Sequence, residues 1–299
     1  MHIVVLMGGW SAEREVSLVT GAAVADALER SGHNVLRFDI QPDFATLLEV
    51  LAPAPDAIFN ALHGQFGEDG GIQAILNLLK IPYTHSGMVA SALAMNKPFA
   101  NRLFVDAGIR CPPHIVVSKE DAMVGEVMAR PYVVKPLNDG SSVGVHIILD
   151  NDSELPFAED GWPYGDHVMV EPFIPGKELT VSVMGDRALA VTEITTERGF
   201  YDYDAKYAPG GSIHLVPAPL AKSVYEQALE LSLMAHQTLC CRGVSRADIR
   251  YDGDNLYLLE INTQPGMTPT SLVPEQAESV GISFDDLVAW MIENAAYDP

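Results

Sequence analysis

The chain opens on an apolar run, Ile3 to Met7, followed by Gly8-Gly9 and a segment in which Val16, Val19, Ala23 and Ala27 recur at helical spacing. The pattern predicts a buried strand over 3–7 and a helix behind it, with Gly32 as its C-terminal cap. Further strands are predicted at 34–40 and 56–62, with helices near 43–51 and 70–79. Strand and helix alternating in this way predict an α/β layer on an open parallel sheet. From Pro131 the texture changes. Extended runs over Pro131–Leu137, Val143–Leu149, His167–Ile174, Glu178–Met184 and Arg187–Thr195 follow one another without long helices, and Gly185-Asp186 reads as a hairpin turn. A helix over about 219–239, with Leu220, Val224, Ala228, Leu231, Ala235 and Thr238 on one stripe, precedes strands Ser245–Asp252 and Leu256–Asn262 and a helix near 284–294. The expected fold class is α/β, turning to α+β in the later domains. Three domains are expected, over 1–95, 96–180 and 181–299.

Composition narrows the partners. Eighteen Lys plus Arg stand against 40 Asp plus Glu, a formal charge of −22 over 299 residues. Such a chain is repelled by phosphate backbones and anionic lipid surfaces, so neither nucleic acid nor membrane is an expected partner. With 48% hydrophobic and 19% charged residues, the chain has ample material for a core. Cys111, Cys240 and Cys241 supply neither a disulfide framework nor a CxxC zinc site. The first residues lack the basic start and cleavage site of a signal peptide, and no run is long enough to cross a bilayer. A cytoplasmic location is the expectation.

The common nucleotide and hydrolase signatures, GxxxxGK[S/T], GxGxxG, HExxH and GxSxG, are absent from the sequence. The segment Asn138 to Val145, with Gly140, Ser141, Ser142 and Gly144 just after Lys135, can turn backbone N–H groups toward a polyanion. It can equally be a Gly/Ser turn beside a solvated lysine. The last strand pair is more informative. Arg246, Asp248 and Arg250 share one face of the first strand, and Glu260 and Asn262 share one face of the second. Asp248, Glu260 and Asn262 can therefore gather as the hard oxygen ligands that Mg2+ requires. Asp248 can oppose Glu260 only across an odd-numbered turn or a bulge, so one of these is predicted around Asp252 to Asn255. Glu171 and Glu178 bracket Phe173 and Ile174, a bend suited to an adenine edge, its ring face and ribose hydroxyls, or simply a surface turn. The long segment Gly199 to Gly211 reads as a lid or a loose connection. Carboxylates after Gly8-Gly9 complement a helix start, and His63 stands at the C-terminal end of a strand, the ligand side of an open α/β sheet.

Nine segments resemble the D-alanine:D-alanine ligase family of the ATP-grasp superfamily: GGWSAEREVS, ALHGQFGEDG, MNKPFANRL, VVKPLNDGSSVGV, EPFIPGKE, GFYDYDAKY, GVSRADIRYD, LLEINTQPGMT and SLVPEQA. They occur in the family's order and cover almost the whole chain. The resemblance implies an ATP-grasp fold with an N-terminal open parallel-sheet domain. It also implies a ligase that phosphorylates one D-alanine with ATP and joins it to a second, with two Mg2+ or Mn2+ ions and a homodimeric state.

By motif, Lys97 and Lys135 would hold phosphates under the backbone of Ser141, Ser142 and Val143. Glu171 would meet the adenine amino group, Phe173 and Ile174 its ring, and Glu178 the ribose. Asp248, Glu260 and Asn262 would bind the metals, and Glu15 the first substrate's ammonium near His63. Arg246 and the Gly266 N–H would face the oxyanion, while Ser271 and Leu272 would receive the second substrate. Lys206 and Tyr207 would close the lid, with Tyr207, Ser141 and Glu15 hydrogen-bonded together; Tyr207 also favours an amine over D-lactate as second substrate. Trp10 and Gln65-Phe66 depart from the usual residues near the first-substrate pocket. A depsipeptide-forming ligase and a non-catalytic nucleotide-binding regulator stand as alternatives, and the intact metal set with Arg246 weighs against the latter.

Overall fold

The structure, a computed structural model, describes residues 1–124, 127–141, 143–149, 157, 162–196 and 211–299. Strand β1 (His2–Gly8) pairs in parallel with β2 (Asn34–Ile40) on one side and β3 (Ala57–Asn60) on the other. Its residues Ile3, Val4, Val5 and Leu6 are all fully buried, because both faces of this sheet are covered. Alternation sends Ile3 and Val5 to one core and Val4 and Leu6 to another. The first core receives Val24 and Leu28 of α1 (Arg14–Arg30). The second receives Leu47 of α2 (Phe44–Val50) and Ile72 and Leu76 of α3 (Gly71–Leu79).

The face that α1 buries differs from the predicted stripe. Val19 is 52% exposed, while Ser17, Thr20, Gly21, Val24 and Leu28 are buried. The reason is close approach at the sheet's C-terminal edge: Ser17 Oγ accepts from Gly8 N (2.9 Å) and donates to the Ala61 carbonyl (2.7 Å), and Gly21 lies against Met7. Small polar residues make that contact, so apolar periodicity points to the wrong face.

Helices α4 (Met88–Met95) and α5 (Lys97–Asp106) follow, where the sequence pattern predicts no element. Strand β4 (Ile115–Ser118) and helix α6 (Lys119–Val124) lead into the second sheet, with β5 (Tyr132–Lys135), β6 (His146–Ile148) and β7 (His167–Pro172) in the antiparallel order β4-β7-β5-β6. The third sheet contains β8 (Lys177–Met184), β9 (Arg187–Thr195), β10 (Ile213–Leu215), β11 (Val244–Tyr251) and β12 (Leu256–Asn262), ordered β10-β9-β8-β11-β12. Because β8 starts at Lys177 and lies wholly in this sheet, the bend at 173–176, and not residue 180, separates the second and third sheets.

Leu179, Val181, Ala247 and Ile249 pack under helix α7 (Lys222–Thr238), while Glu178, Thr180 and Ser182 pair across with Arg250, Asp248 and Arg246 on the opposite, polar face. Helices α8 (Leu272–Ser279) and α9 (Phe284–Glu293) return to the first sheet, where Val273, Ala277, Leu287, Val288 and Met291 join the core around Ile3 and Val5. No helix among the described residues is long and apolar enough to cross a membrane.

Gly176, in the bend between the sheets, has φ +99°, and a Cβ there would overlap the Tyr251 carbonyl. Gly176→Ala combines a left-handed backbone penalty with overpacking against rigid backbone, so a loss of roughly 3 kcal/mol is expected, read as a lowered denaturation midpoint.

Candidate active site

Two pockets adjoin along the polar face of β11 and β12. The first lies between the second and third sheets. Val133, Lys135, Ile147 and Glu171 line one wall, Glu178, Asp248, Arg250, Leu259 and Glu260 the other, and Phe173 and Ile174 close the end. The second is lined by Glu13, His63 and Glu68 from the first sheet's loops, Met95 and Lys97 from the α4–α5 junction, Gly140 and Ser141, and Arg246, Asn262 and Gly266. Lys97, Asp139 and Glu260 line both.

The hairpin supplies the centre. Tyr251 pairs with Leu256, which leaves a four-residue turn, Asp252–Asn255, tied by two backbone N–H groups to Asp252 Oδ1 at 2.8 and 2.7 Å. An even turn alone would pair Asp248 with Leu259. The register shifts between Asp248 and Ile249, so Asp248 opposes Glu260 and Arg246 opposes Asn262. The predicted bulge is therefore present, at Leu259 and not in the turn.

Arg246 grips Asp248 through Nε–Oδ1 (2.9 Å) and Nη2–Oδ2 (2.8 Å), and Thr180 Oγ1 donates to Asp248 Oδ1 at 2.8 Å. Lys97, held at the start of α5, stands 3.3 Å from Glu260 and donates to the Asp139 carbonyl. Burial pushes the Asp139 carboxyl above its ordinary range, with Lys97 opposing. Lys135 donates to Glu171 (2.6 Å) with both side chains almost excluded from water. Arg250 binds Glu178 (3.1 Å), lies over the Phe173 ring (5.4 Å) and donates to the Ile174 and Gly176 carbonyls, both at 3.0 Å. Strand alternation places Arg250 on the shared face of β11 without showing its task. The structure shows it fixing the bend between the sheets.

On the other side, Ser141 Oγ donates to Glu13 Oε1, and Glu13 is buried. Glu15, the residue expected in the pocket, is exposed on the outer face of α1 and lines neither pocket. Glu13 occupies the N-cap position, where the chain still faces the cleft. Two residues later the helix has turned about 200°, and the carboxylate points to solvent. His63 Nδ1 pairs with Glu68 Oε1 at 2.8 Å, and its Nε2 lies 3.3 Å from Thr20 Oγ1.

The backbone of Val143 closes the 140–143 turn through its N–H to Gly140 (3.0 Å), but Val143 faces a neighbouring groove instead of these pockets. Ser271, the N-cap of α8, lies beside Gly266 at the second pocket, and Leu272 is buried against Ile194; neither lines the pocket. Trp10 stacks on Phe66 at 4.8 Å and lines the same neighbouring groove. Ser142, Lys206 and Tyr207 lie outside the described residues.

Among the described residues no three His, Cys, Asp or Glu side chains gather as a metal site. The candidate set is instead two carboxylates and one amide oxygen, Asp248, Glu260 and Asn262. It fits Mg2+, whose shell is ordinarily completed by water and phosphate oxygens.

Two antiparallel sheets closed over a pocket with buried lysines, beside an open parallel sheet, define the ATP-grasp class of ligases. The chain matches the family model D-ala D-ala ligase C-terminus over residues 103–293 and D-ala D-ala ligase N-terminus over residues 46–86. It is 59% identical to the D-alanine–D-alanine ligase of Rhodospirillum rubrum over 298 residues, 99% of each chain, and 55% identical to that of Paramagnetospirillum magneticum, again over 99% of each. The D-alanine–D-alanine ligase from Bacillus anthracis superposes with a TM-score of 0.85 at 33% identity, covering 98% of this chain and 97% of that one. Its complex with ATP gives 0.83 at 29% identity over the same shares. The chain belongs to the D-alanine–D-alanine ligase family and is an ATP-dependent ligase.

The His63–Glu68 pair yields a pH prediction. Burial opposes the His63 imidazolium, but the hydrogen bond and charge of Glu68, with Glu13 beyond, outweigh it and hold its pKa above 6.5. Burial likewise raises Glu68 above its ordinary value, against the pull of His63. Both groups therefore favour the proton in the fold, and their stabilisation is lost as pH rises through the folded values. In Glu68→Gln the opposing pull disappears and burial governs. The His63 ring should then titrate below 6.5 by NMR, and the wild type's margin in thermal stability should widen from pH 8 toward pH 6.

Proposed function

We propose that the two pockets form one reaction path for joining two D-alanine molecules, with ATP in the first and the amino acids in the second. Lys97 and Lys135 hold the phosphates, with the backbone at Ser141 beside them and Val143, which faces the neighbouring groove, left out of the phosphate site. Glu171 meets the adenine amino group, Phe173 and Ile174 its ring, and Glu178 the ribose. Asp248, Glu260 and Asn262 hold two Mg2+ or Mn2+ ions, which when bound offset the charge of the transferring phosphoryl group. Glu13 takes the ammonium of the first D-alanine, with His63 beside it.

The carboxylate of that first D-alanine attacks the γ-phosphorus, ADP leaves, and the amine of the second D-alanine attacks the acyl phosphate, expelling phosphate. Arg246 and the Gly266 N–H face the oxygen on which charge builds in both steps. Ser271 and Leu272 border the second amino acid, and Lys206 and Tyr207 cover the site. The observation that carries the reading is that Lys97 and Glu260 line both pockets, so a γ-phosphate held by one pocket reaches a carboxylate held by the other. The same reading includes three domains, with the second boundary moved to 173–176, a homodimer and a cytoplasmic location.

The purified protein with ATP, Mg2+ and D-alanine should release phosphate and D-alanyl-D-alanine in equal amounts. Product only when D-lactate is added would overturn the choice of second substrate. Arg246→Ala should lower kcat by about 100-fold or more, the scale of losing one oxyanion donor, while binding of a non-hydrolysable ATP analogue stays within a few-fold. Loss of nucleotide affinity instead would contradict the role given to Arg246.

A further inference from the structure

We infer that Gln264 is a positioning residue that holds the first-substrate half of the cleft in register with its metal and oxyanion half. Asn60 ends β3 and is 0% exposed, and Gln264 follows β12 and is 1% exposed. Asn60 Nδ2 donates to Gln264 Oε1 at 2.7 Å and to the Gly67 carbonyl at 3.0 Å, and Asn60 Oδ1 accepts from Leu62 N at 3.2 Å. Gln264 Nε2 donates to the Leu62 carbonyl, and Gln264 N donates to Asn262 Oδ1 at 2.9 Å. Only one orientation of the two amides is consistent with this set, since flipping either would face oxygen to oxygen or nitrogen to nitrogen.

Each bond ends on a site residue or within two residues of one. Leu62 precedes His63, Gly67 precedes Glu68, Asn262 is a metal candidate, and Gly266 lies two residues beyond Gln264. A second contact runs parallel to this bridge. Thr20 Oγ1, beside His63 Nε2, accepts from Met267 N at 3.5 Å. The first sheet and the third-sheet hairpin are thus tied by a buried amide pair whose members are 204 positions apart. Gln264 suits the place because one side chain must both accept from Asn60 and donate to Leu62, which an ionised carboxylate or an apolar chain of the same length does not do. Its main-chain N–H also orients the Asn262 oxygen, an outer-partner role for a metal ligand.

The inference rests on the reaction assigned above, and its test separates the two. Wild-type dipeptide formation decides the reaction. Calorimetric binding of D-alanine, in the presence of Mg2+ and a non-hydrolysable ATP analogue, reads the role of Gln264 in either case. In Gln264→Met, D-alanine affinity should fall about tenfold or more, the scale seen for loss of outer partners, with KM for D-alanine rising in step. Affinity for the nucleotide analogue should stay within about threefold on the same scale. D-alanine binding within twofold of wild type alongside a lowered melting temperature would show a merely structural residue and overturn the inference.

Gln264→Asn keeps the amide, shortens its reach by one methylene and covers the case in which the methionine variant does not fold. The shortened amide cannot meet Asn60 and the Leu62 carbonyl together, so D-alanine affinity should again fall about tenfold while affinity for the nucleotide analogue stays within about threefold. D-alanine binding within twofold of wild type would equally overturn the inference.

Discussion

One extra residue in a hairpin sets the geometry of the cleft. With the four-residue turn at Asp252–Asn255, regular pairing would place Glu260 opposite Ala247, on the face packed under α7, and Ile261 in the pocket. A carboxylate in that apolar layer would lose its hydration without a partner, a cost far above that of one irregular pair. The bulge at Leu259 advances the register by one, so Leu259 and Glu260 both face the cleft and Ile261 returns to the core. Asp248 opposite Glu260 and Arg246 opposite Asn262 then follow from strand periodicity alone. The polar face of β8 completes the arrangement by bringing Thr180 to Asp248 and Glu178 to Arg250.

That geometry also resolves an electrostatic conflict. A chain of charge −22 repels a nucleotide at long range, yet its pocket must receive one. At physiological salt the field of a surface carboxylate is screened over about 8 Å, so the groups lining the pocket decide. Of the chain's seven lysines, Lys97 and Lys135 stand in the cleft with Arg246 and Arg250. Each of the four already faces a carboxylate: Glu260, Glu171, Asp248 and Glu178 respectively. These cations are therefore held in place and neutralised before any polyanion arrives. A polyanion entering the first pocket therefore competes with Glu260 and Glu171 for Lys97 and Lys135, while Arg246 and Arg250 keep their own carboxylates.

Much of this was legible from local pattern. Alternation in the last two strands revealed the shared face of Arg246 and Asp248, and parity alone required a bulge or an odd turn. The face of α1 was not legible, because Ser17, Thr20 and Gly21 are buried for closeness and hydrogen bonding, which apolar periodicity does not record. Glu13 and Glu15 are the same residue type two positions apart, so only the point at which the helix starts tells them apart. Helices α4 and α5 escaped for different reasons: Met88–Met95 is apolar nearly all round, and Lys97–Asp106 is a short mixed segment. Asn60 and Gln264 are remote in sequence and meet only through the fold, so no window along the chain contains their relation.

The two sides of the cleft are fastened by different forces. On the side of the second pocket, α8 and α9 follow the third sheet in the chain and bury Val273, Leu287 and Met291 with Ile3 and Val5, so the third sheet's continuation is welded to the parallel sheet by apolar contact. The second sheet has its own core, around Tyr132, Val134, Val168 and Val170, which contains no residue of the other clusters. Across the cleft it is tied by polar contacts: Ser141 to Glu13, Asn138 to Asn96 (2.8 Å), and Lys97 to the carbonyls of Asp139 and, at 3.0 Å through its backbone, Leu137. A buried aliphatic side chain contributes about 1.5–3 kcal/mol; a hydrogen bond contributes about 0.5–1.5 kcal/mol net when neutral and about 1.5–3 kcal/mol when one group is charged, as at Ser141–Glu13 and Lys97–Asp139, but unlike apolar burial it is replaced by water when broken. The second sheet can therefore exchange its polar contacts for water or for a ligand, while the apolar contact between the first and third sheets holds their register. Phosphoryl transfer followed by amine attack needs both properties: one wall that admits and releases a large polyanion, and one that holds two small amino acids to a fraction of an ångström.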